Sequence, residues 1–202
     1  MKTVEIIGYN RANLGKSESK RLRAEGNVPC VMYGGDEQVH FYAPMHLFKE
    51  LVYTNNAHFV NLNIEGKEIR AILQDIQFHP VSEIILHADF LQLFEGKKVK
   101  MNIPVHFVGN SPGVTKGGTL IKKRRGLEVY ALPKDMPEYI EVSLDKLDFG
   151  RAIKVEEIEE ANFEILDTKI ASVAVVEIPR ALRGKQDEEE EEGAEEEEAA
   201  EA

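Results

Sequence analysis

A mainly β protein is expected: an N-terminal six-stranded β-barrel with two short helices, then a second β-rich domain and a disordered acidic tail. Three observations predict it. Short β-branched runs alternate with turn residues along most of the chain, only two segments in the first half have helical spacing, and the C-terminus is almost pure glutamate. The boundaries fall at 1–94, 95–185 and 186–202. The polar run Glu95-Gly96-Lys97-Lys98 marks the first, and a run without apolar bulk marks the second.

In the first domain the apolar and β-branched runs at 3–7, 28–33, 39–42, 59–64, 67–78 and 84–93 read as strands. Glu65-Gly66 between two of them is placed for a two-residue hairpin turn. A helix beginning near Gly15 or Ser17 and stopping at Gly26 carries Leu22 as its core anchor. A second begins near Pro44, with Met45, Phe48, Leu51 and Val52 at helical spacing. Six strands and two helices in so short a domain imply a strongly bent sheet or a closed barrel. In the second domain strands are expected at 99–108, 118–121, 127–132, 139–143, 163–166 and 171–178. A helical turn is expected at 145–149.

The net charge of −11 argues against nucleic acid until the charges are located. Residues 186–202 hold one Asp and ten Glu with no Lys or Arg, so the tail alone carries −11 and the rest of the chain is neutral. A run of Glu, Ala and Gly cannot bury enough apolar area to offset chain entropy, hence the expectation of disorder. Any nucleic-acid site must therefore be a local patch. The single cysteine, Cys30, permits no internal disulfide and no metal-ligand spacing, and no stretch is apolar enough for a membrane span. A cytoplasmic protein without cofactor or metal is expected, neither bound to a membrane nor an enzyme, and monomeric off any assembly.

The first helix is the best candidate patch. Lys16, Lys20 and Arg23 share one face at i, i+4 and i+7, with Arg11 and Arg21 close by. Like charges at that spacing cost about 0.2–0.5 kcal/mol per pair in an isolated helix, so the arrangement suits a row of phosphates. Gln74-Asp75-Ile76-Gln77-Phe78-His79-Pro80 supplies amide, carboxylate and imidazole groups of the kind that reach base edges and 2′-hydroxyls. A second basic run, Lys122-Lys123-Arg124-Arg125, is expected at a hairpin tip, where strand-edge protection and phosphate contact are equally good readings. The segment 113–119 looks superficially like a phosphate loop but lacks Gly-Lys-Ser/Thr order, so a plain turn is expected. His79, His87 and Asp89, with Cys30, could alternatively serve an RNA-processing or deaminase-like enzyme. On a regular strand His87 and Asp89 would point the same way.

Several ordered blocks carry a resemblance: Gly15-Lys16, Ser19-Lys20-Arg21-Leu22-Arg23, Pro29-Cys30-Val31-Met32-Tyr33-Gly34-Gly35, Gly66-Lys67-Glu68-Ile69, Gln74-Asp75-Ile76-Gln77, His79-Pro80 and His87-Ala88-Asp89-Phe90. With these the chain resembles the 5S rRNA-binding family of bacterial large-subunit ribosomal proteins that includes the general stress protein Ctc. The later blocks Leu127-Glu128-Val129 and Pro137-Glu138-Tyr139-Ile140-Glu141-Val142 are similar to its long, two-domain form. The resemblance implies a structural constituent of the large subunit that binds loop E of 5S rRNA and helps form the central protuberance. It also implies that the second domain reaches neighbouring rRNA or protein, and leaves a stress-related adaptor as an alternative role. Carried over, the RNA-binding positions are Arg11, Lys16, Ser19, Lys20, Arg21, Arg23, Tyr33, Gln74, Gln77, His79, His87 and Asp89. Phe78 and Lys20 depart from an arginine in relatives, so one phosphate contact and one bidentate fork are expected to be missing.

Overall fold

Strand β1 (Lys2–Asn10) buries Val4, Ile6 and Gly8 and exposes the residues between them, the period-two pattern of a strand with one wet face. The fold is taken from a computed structural model, which describes residues 1–35, 37–158, 162–177 and 179. The expected acidic tail, 186–202, lies outside the described residues.

Helix α1 (Lys16–Ala24) follows and turns the chain back through Gly26 into β2 (Asn27–Tyr33). Then come β3 (Val39–Pro44), a 3-10 turn at Met45–Phe48 running into α2 (Lys49–Val52), and the strands β4 (His58–Ile64), β5 (Lys67–Phe78) and β6 (Ile85–Gln92). The six strands close into a barrel in the order β1-β3-β2-β6-β5-β4. Two of its contacts are parallel, β1 with β4 and β2 with β6, and the others are antiparallel. The β4–β5 connection is the expected two-residue turn. Glu65 and Gly66 both have positive φ, 50° and 90°, the geometry whose twist matches the flanking strands.

Inside the barrel, Ile6, Cys30, Phe41, Val60, Leu62, Ala71, Ala88 and Phe90 have no exposed surface, and Phe48 closes one end with its ring 6.2 Å from that of Phe90. Each large side chain so buried contributes about 1.5–3 kcal/mol. Pro29 and Met32 fill β2, so this strand is apolar nearly throughout, whereas β5 and β6 keep one polar face.

Two irregularities in the β5–β6 ladder decide what faces outward. Between Leu73 and Asp75 the register shifts, leaving Gln74 as an extra residue, and between Gln77 and Phe78 it shifts again, leaving Leu86 extra on β6. Ile69, Ala71 and Leu73 pack inward before the first bulge, and Ile76 packs inward after it. The bulge therefore reverses the phase of the strand and turns Asp75 and Gln77 to the outside.

The remaining strands are β7 (Val99–Val108), β8 (Thr119–Lys122), β9 (Gly126–Ala131), β10 (Ile140–Ser143), β11 (Ala152–Lys154), β12 (Glu164–Ile165) and β13 (Ser172–Glu177). They form a four-stranded sheet, β10-β7-β9-β12, and a three-stranded sheet, β11-β13-β8. The described chain falls into two compact units. The described residues of Met1–Pro104, Glu128–Ile140 and Glu160–Leu166 make the first, and those of Val105–Leu127, Glu141–Glu159 and Asp167–Ala202 make the second.

Three expectations for this part change. Residues 122–125 do not cap a hairpin: β8 pairs with β13, and β9 with β12 in the other sheet, so the basic run is a link between sheets. The segment 113–119 is not a plain turn, because Pro112–Thr115 form a short helix, α3, whose first amides are met by Ser111. Residues 145–149 contain two separate turns in place of a helical one, and β11 had no counterpart among the expected strands. With only three residues, one of them buried, β11 is too short for periodicity to reveal.

Candidate nucleic-acid interface

The loop 11–15 and helix α1 form the cationic part of the site. Gly15 enters the helix in an extended conformation with no side-chain cap, and Ser19 ties the first turn instead, its hydroxyl donating to the Gly15 carbonyl at 3.2 Å. Arg11 reaches back over this turn. Its Nη2 donates to Ser19 Oγ at 2.9 Å and to the Asn13 carbonyl at 3.4 Å, while its Nε is buried without a partner. Arg11 and Ser19 therefore brace the loop against the helix.

Arg21 is exposed but paired on both sides, 2.5 Å from Glu18 and 3.7 Å from Glu25. Arg23 is half-buried, and its Nε donates to the carbonyl of Leu86 at 2.9 Å. Leu86 is the residue that the second bulge takes out of the ladder, so the bulge offers a carbonyl and Arg23 takes it. Lys16 and Lys20 are exposed, and among the described residues neither has a carboxylate partner. The helix thus divides its charge: arginines go to structure, lysines to solvent.

The Arg23–Leu86 bond joins α1 to the polar face of the sheet. There Gln77 stands opposite His87 and Asp75 opposite Asp89, and Asp89 in turn lies beside Val31 of β2. His87 Nδ1 is 2.5 Å from Asp89 Oδ1, as their same-side spacing requires. Tyr33, at the end of β2, is half-buried beside this strip; burial first, then the carboxylates of Asp89 and Asp75, push its phenol above the ordinary range. It remains a protonated donor at neutral pH. Two carboxylates directly opposed across a ladder destabilise it, so their retention on an outer face suits a partner that donates hydrogen bonds. Asp75 is the carboxylate of the run 74–80 singled out in the sequence, and the bulge at Gln74 is what turns it outward, since strict alternation from Ala71 and Leu73 would point it into the barrel.

Gln74 is exposed in the bulge. His79 is exposed too, but Nδ1 accepts the amides of Val81 at 3.3 Å and Ser82 at 3.2 Å, so this ring shapes the turn after β5. Cys30 is not joined to any of these groups. It lies in the barrel core opposite Ala88, where burial, with a contribution from Asp89, raises its thiol far above the usual range. A nucleophile is needed on the side where His87 and Asp89 lie, and Cys30 faces the other. Among the described residues no group of three or more His, Cys, Asp and Glu side chains could hold a metal ion, and no helix is long and apolar enough to cross a membrane.

Comparison with known proteins adds independent findings. The Ribosomal L25p family matches residues 6–90, and the C-terminal domain of ribosomal protein TL5 matches residues 98–180. The chain is 57% identical over 183 residues to the large ribosomal subunit protein bL25 of Amoebophilus asiaticus, covering 91% of this chain and 93% of that one. It is 52% identical over 188 residues to the protein of that name from Cytophaga hutchinsonii, covering 93% and 97%. For Bacteroides fragilis the identity is 41% over 189 residues, covering 91% and 96%.

Proposed function

Since the chain belongs to the Ribosomal L25p family, and is by that membership a cytoplasmic protein of the large ribosomal subunit and no enzyme, we propose that its barrel binds 5S rRNA at loop E and helps build the central protuberance. Membership in this family leaves no place for the RNA-processing or deaminase-like alternative. Residues 1–94 act as the RNA-binding module and 95–185 as a second module.

One observation carries the reading: the Arg23–Leu86 bond fastens the free lysines of α1 beside the His87/Asp89 strip. Lys16 and Lys20 neutralise phosphates, which supplies affinity without sequence information. Gln74, Gln77, His87, Asp89 and Tyr33 offer donors and acceptors for base edges and 2′-hydroxyls. An A-form helix presents those groups across a wide, shallow minor groove, a surface that a rigid sheet can cover and a deep groove reader cannot. Arg11, Ser19, Arg21 and His79 belong to the same surface but shape it more than they grip RNA.

Chemical footprinting of 5S rRNA with the full chain tests this. Protection confined to loop E and its flanking helices is expected. Protection elsewhere, or none at a concentration that saturates binding, would refute it.

A further inference from the structure

The second unit contains a segment whose charge the barrel site does not explain. Between residues 105 and 127 there are five cations, Lys116, Lys122, Lys123, Arg124 and Arg125, and no carboxylate. Elsewhere the unit supplies acids where pairing is wanted: Asp148 lies 2.8 Å from Lys116, and Asp167 holds Arg124. Among the described residues no carboxylate pairs with Lys122, Lys123 or Arg125, and all three are exposed.

These cations are also held in place. The amides of Lys123 and Arg124 both donate to the carbonyl of Val173, at 2.9 and 3.1 Å, and the carbonyl of Arg125 accepts from Val105 at 2.9 Å. The Arg124–Asp167 pair pins the middle of the run, and the ammonium of Lys122 sits 5.1 Å from the centre of the Phe107 ring. A merely solvated loop needs none of these ties. Protection of the edge strand β8 against pairing would take one charge, and Lys122 supplies it. Lys123 and Arg125 lie beyond the strand and serve no such purpose. Unpaired, adjacent cations on an already ordered backbone pay only their side-chain entropy on meeting a polyanion.

We propose that Lys122, Lys123 and Arg125 form a second RNA site, which grips the phosphate backbone without reading sequence. It is independent of the loop E reading. The probes are a short RNA duplex of unrelated sequence and 5S rRNA, each titrated against the full chain over a range of salt. In the K122A/K123A/R125A variant, duplex affinity at about 0.1 M salt is expected to fall roughly tenfold or more, and the slope of log affinity against log salt to flatten by about 2–3. The loop E footprint on 5S rRNA should not change. If that footprint is missing in the parent while the duplex result holds, the barrel reading fails and this one stands. Should the triple variant melt early, Lys123→Glu carries the test, with a several-fold loss expected at unchanged melting. Unchanged affinity and slope overturn the proposal. So does a parent chain that binds duplex only once residues 186–202 are removed, which would assign these cations to the chain's own acidic segment.

Discussion

Helix α1 with the loop before it and the link 122–125 look alike as sequence, each a short run dense in Lys and Arg, and in each some cations are engaged by neighbours while others stay free. In α1 and the loop before it, Arg11, Arg21 and Arg23 are engaged by Ser19, by Glu18 and Glu25, and by the Leu86 carbonyl, while Lys16 and Lys20 stay free. In the link, Arg124 is engaged by Asp167, while Lys122, Lys123 and also Arg125 have no carboxylate partner among the described residues, so the division by residue type is complete only around α1. The planar five-donor guanidinium suits fixed hydrogen-bond geometry, and the ammonium is a mobile point charge on a long stem. Charge counted along a chain therefore overstates the charge a ligand meets. The two regions differ in what stands beside them: α1 is bonded through Arg23 to the strand that carries the His87–Asp89 pair, and among the described residues no such pair is bonded to the link.

The largest effect is expected at the lysines. Lys16→Ala with Lys20→Ala should weaken 5S rRNA binding by about 10- to 100-fold at moderate salt and leave the melting temperature within about a degree. Calorimetry beside a binding titration separates the two effects; a large fall in melting temperature would mean that these lysines are structural. Next comes Arg23→Ala. It removes a half-buried charged hydrogen bond between α1 and the barrel, so stability should drop by about 1 kcal/mol and melting by roughly 2–4 °C. Affinity should fall as well, and Arg23→Lys should recover part of the charge but not the fixed bond to Leu86. An Arg23→Ala chain that melts like the parent would show that this bond does not hold the helix. Smallest is Arg21→Ala, where an exposed pair is lost: stability should stay within about 0.5 kcal/mol and affinity within about threefold.

Much of the barrel was legible in the sequence because its signals are local. The β5 boundaries and the Glu65-Gly66 turn follow from alternation and from two positive-φ positions in a row. The candidate residues could be named from the sequence, but not which of them the fold itself engages. Arg23 finds its acceptor 63 residues away, and only because a bulge frees the Leu86 carbonyl. Asp75 reaches the outer face through the bulge at Gln74, a one-residue register change that no propensity marks. In the second unit β8 pairs with a strand about fifty residues downstream, so the proximity of β8 and β9 along the chain misleads. Non-local pairing of short strands carries little sequence signal.

Free lysines, not the engaged arginines, are expected to supply the phosphate grip of the barrel. Salt titration of 5S rRNA affinity for the parent, the Lys16/Lys20 double alanine variant and Arg21→Ala tests it directly. The double variant should lose about 1.4–1.8 from the slope of log affinity against log salt, and Arg21→Ala should keep the parental slope. A parental slope in the lysine variant, with a flattened one for Arg21→Ala, would contradict it.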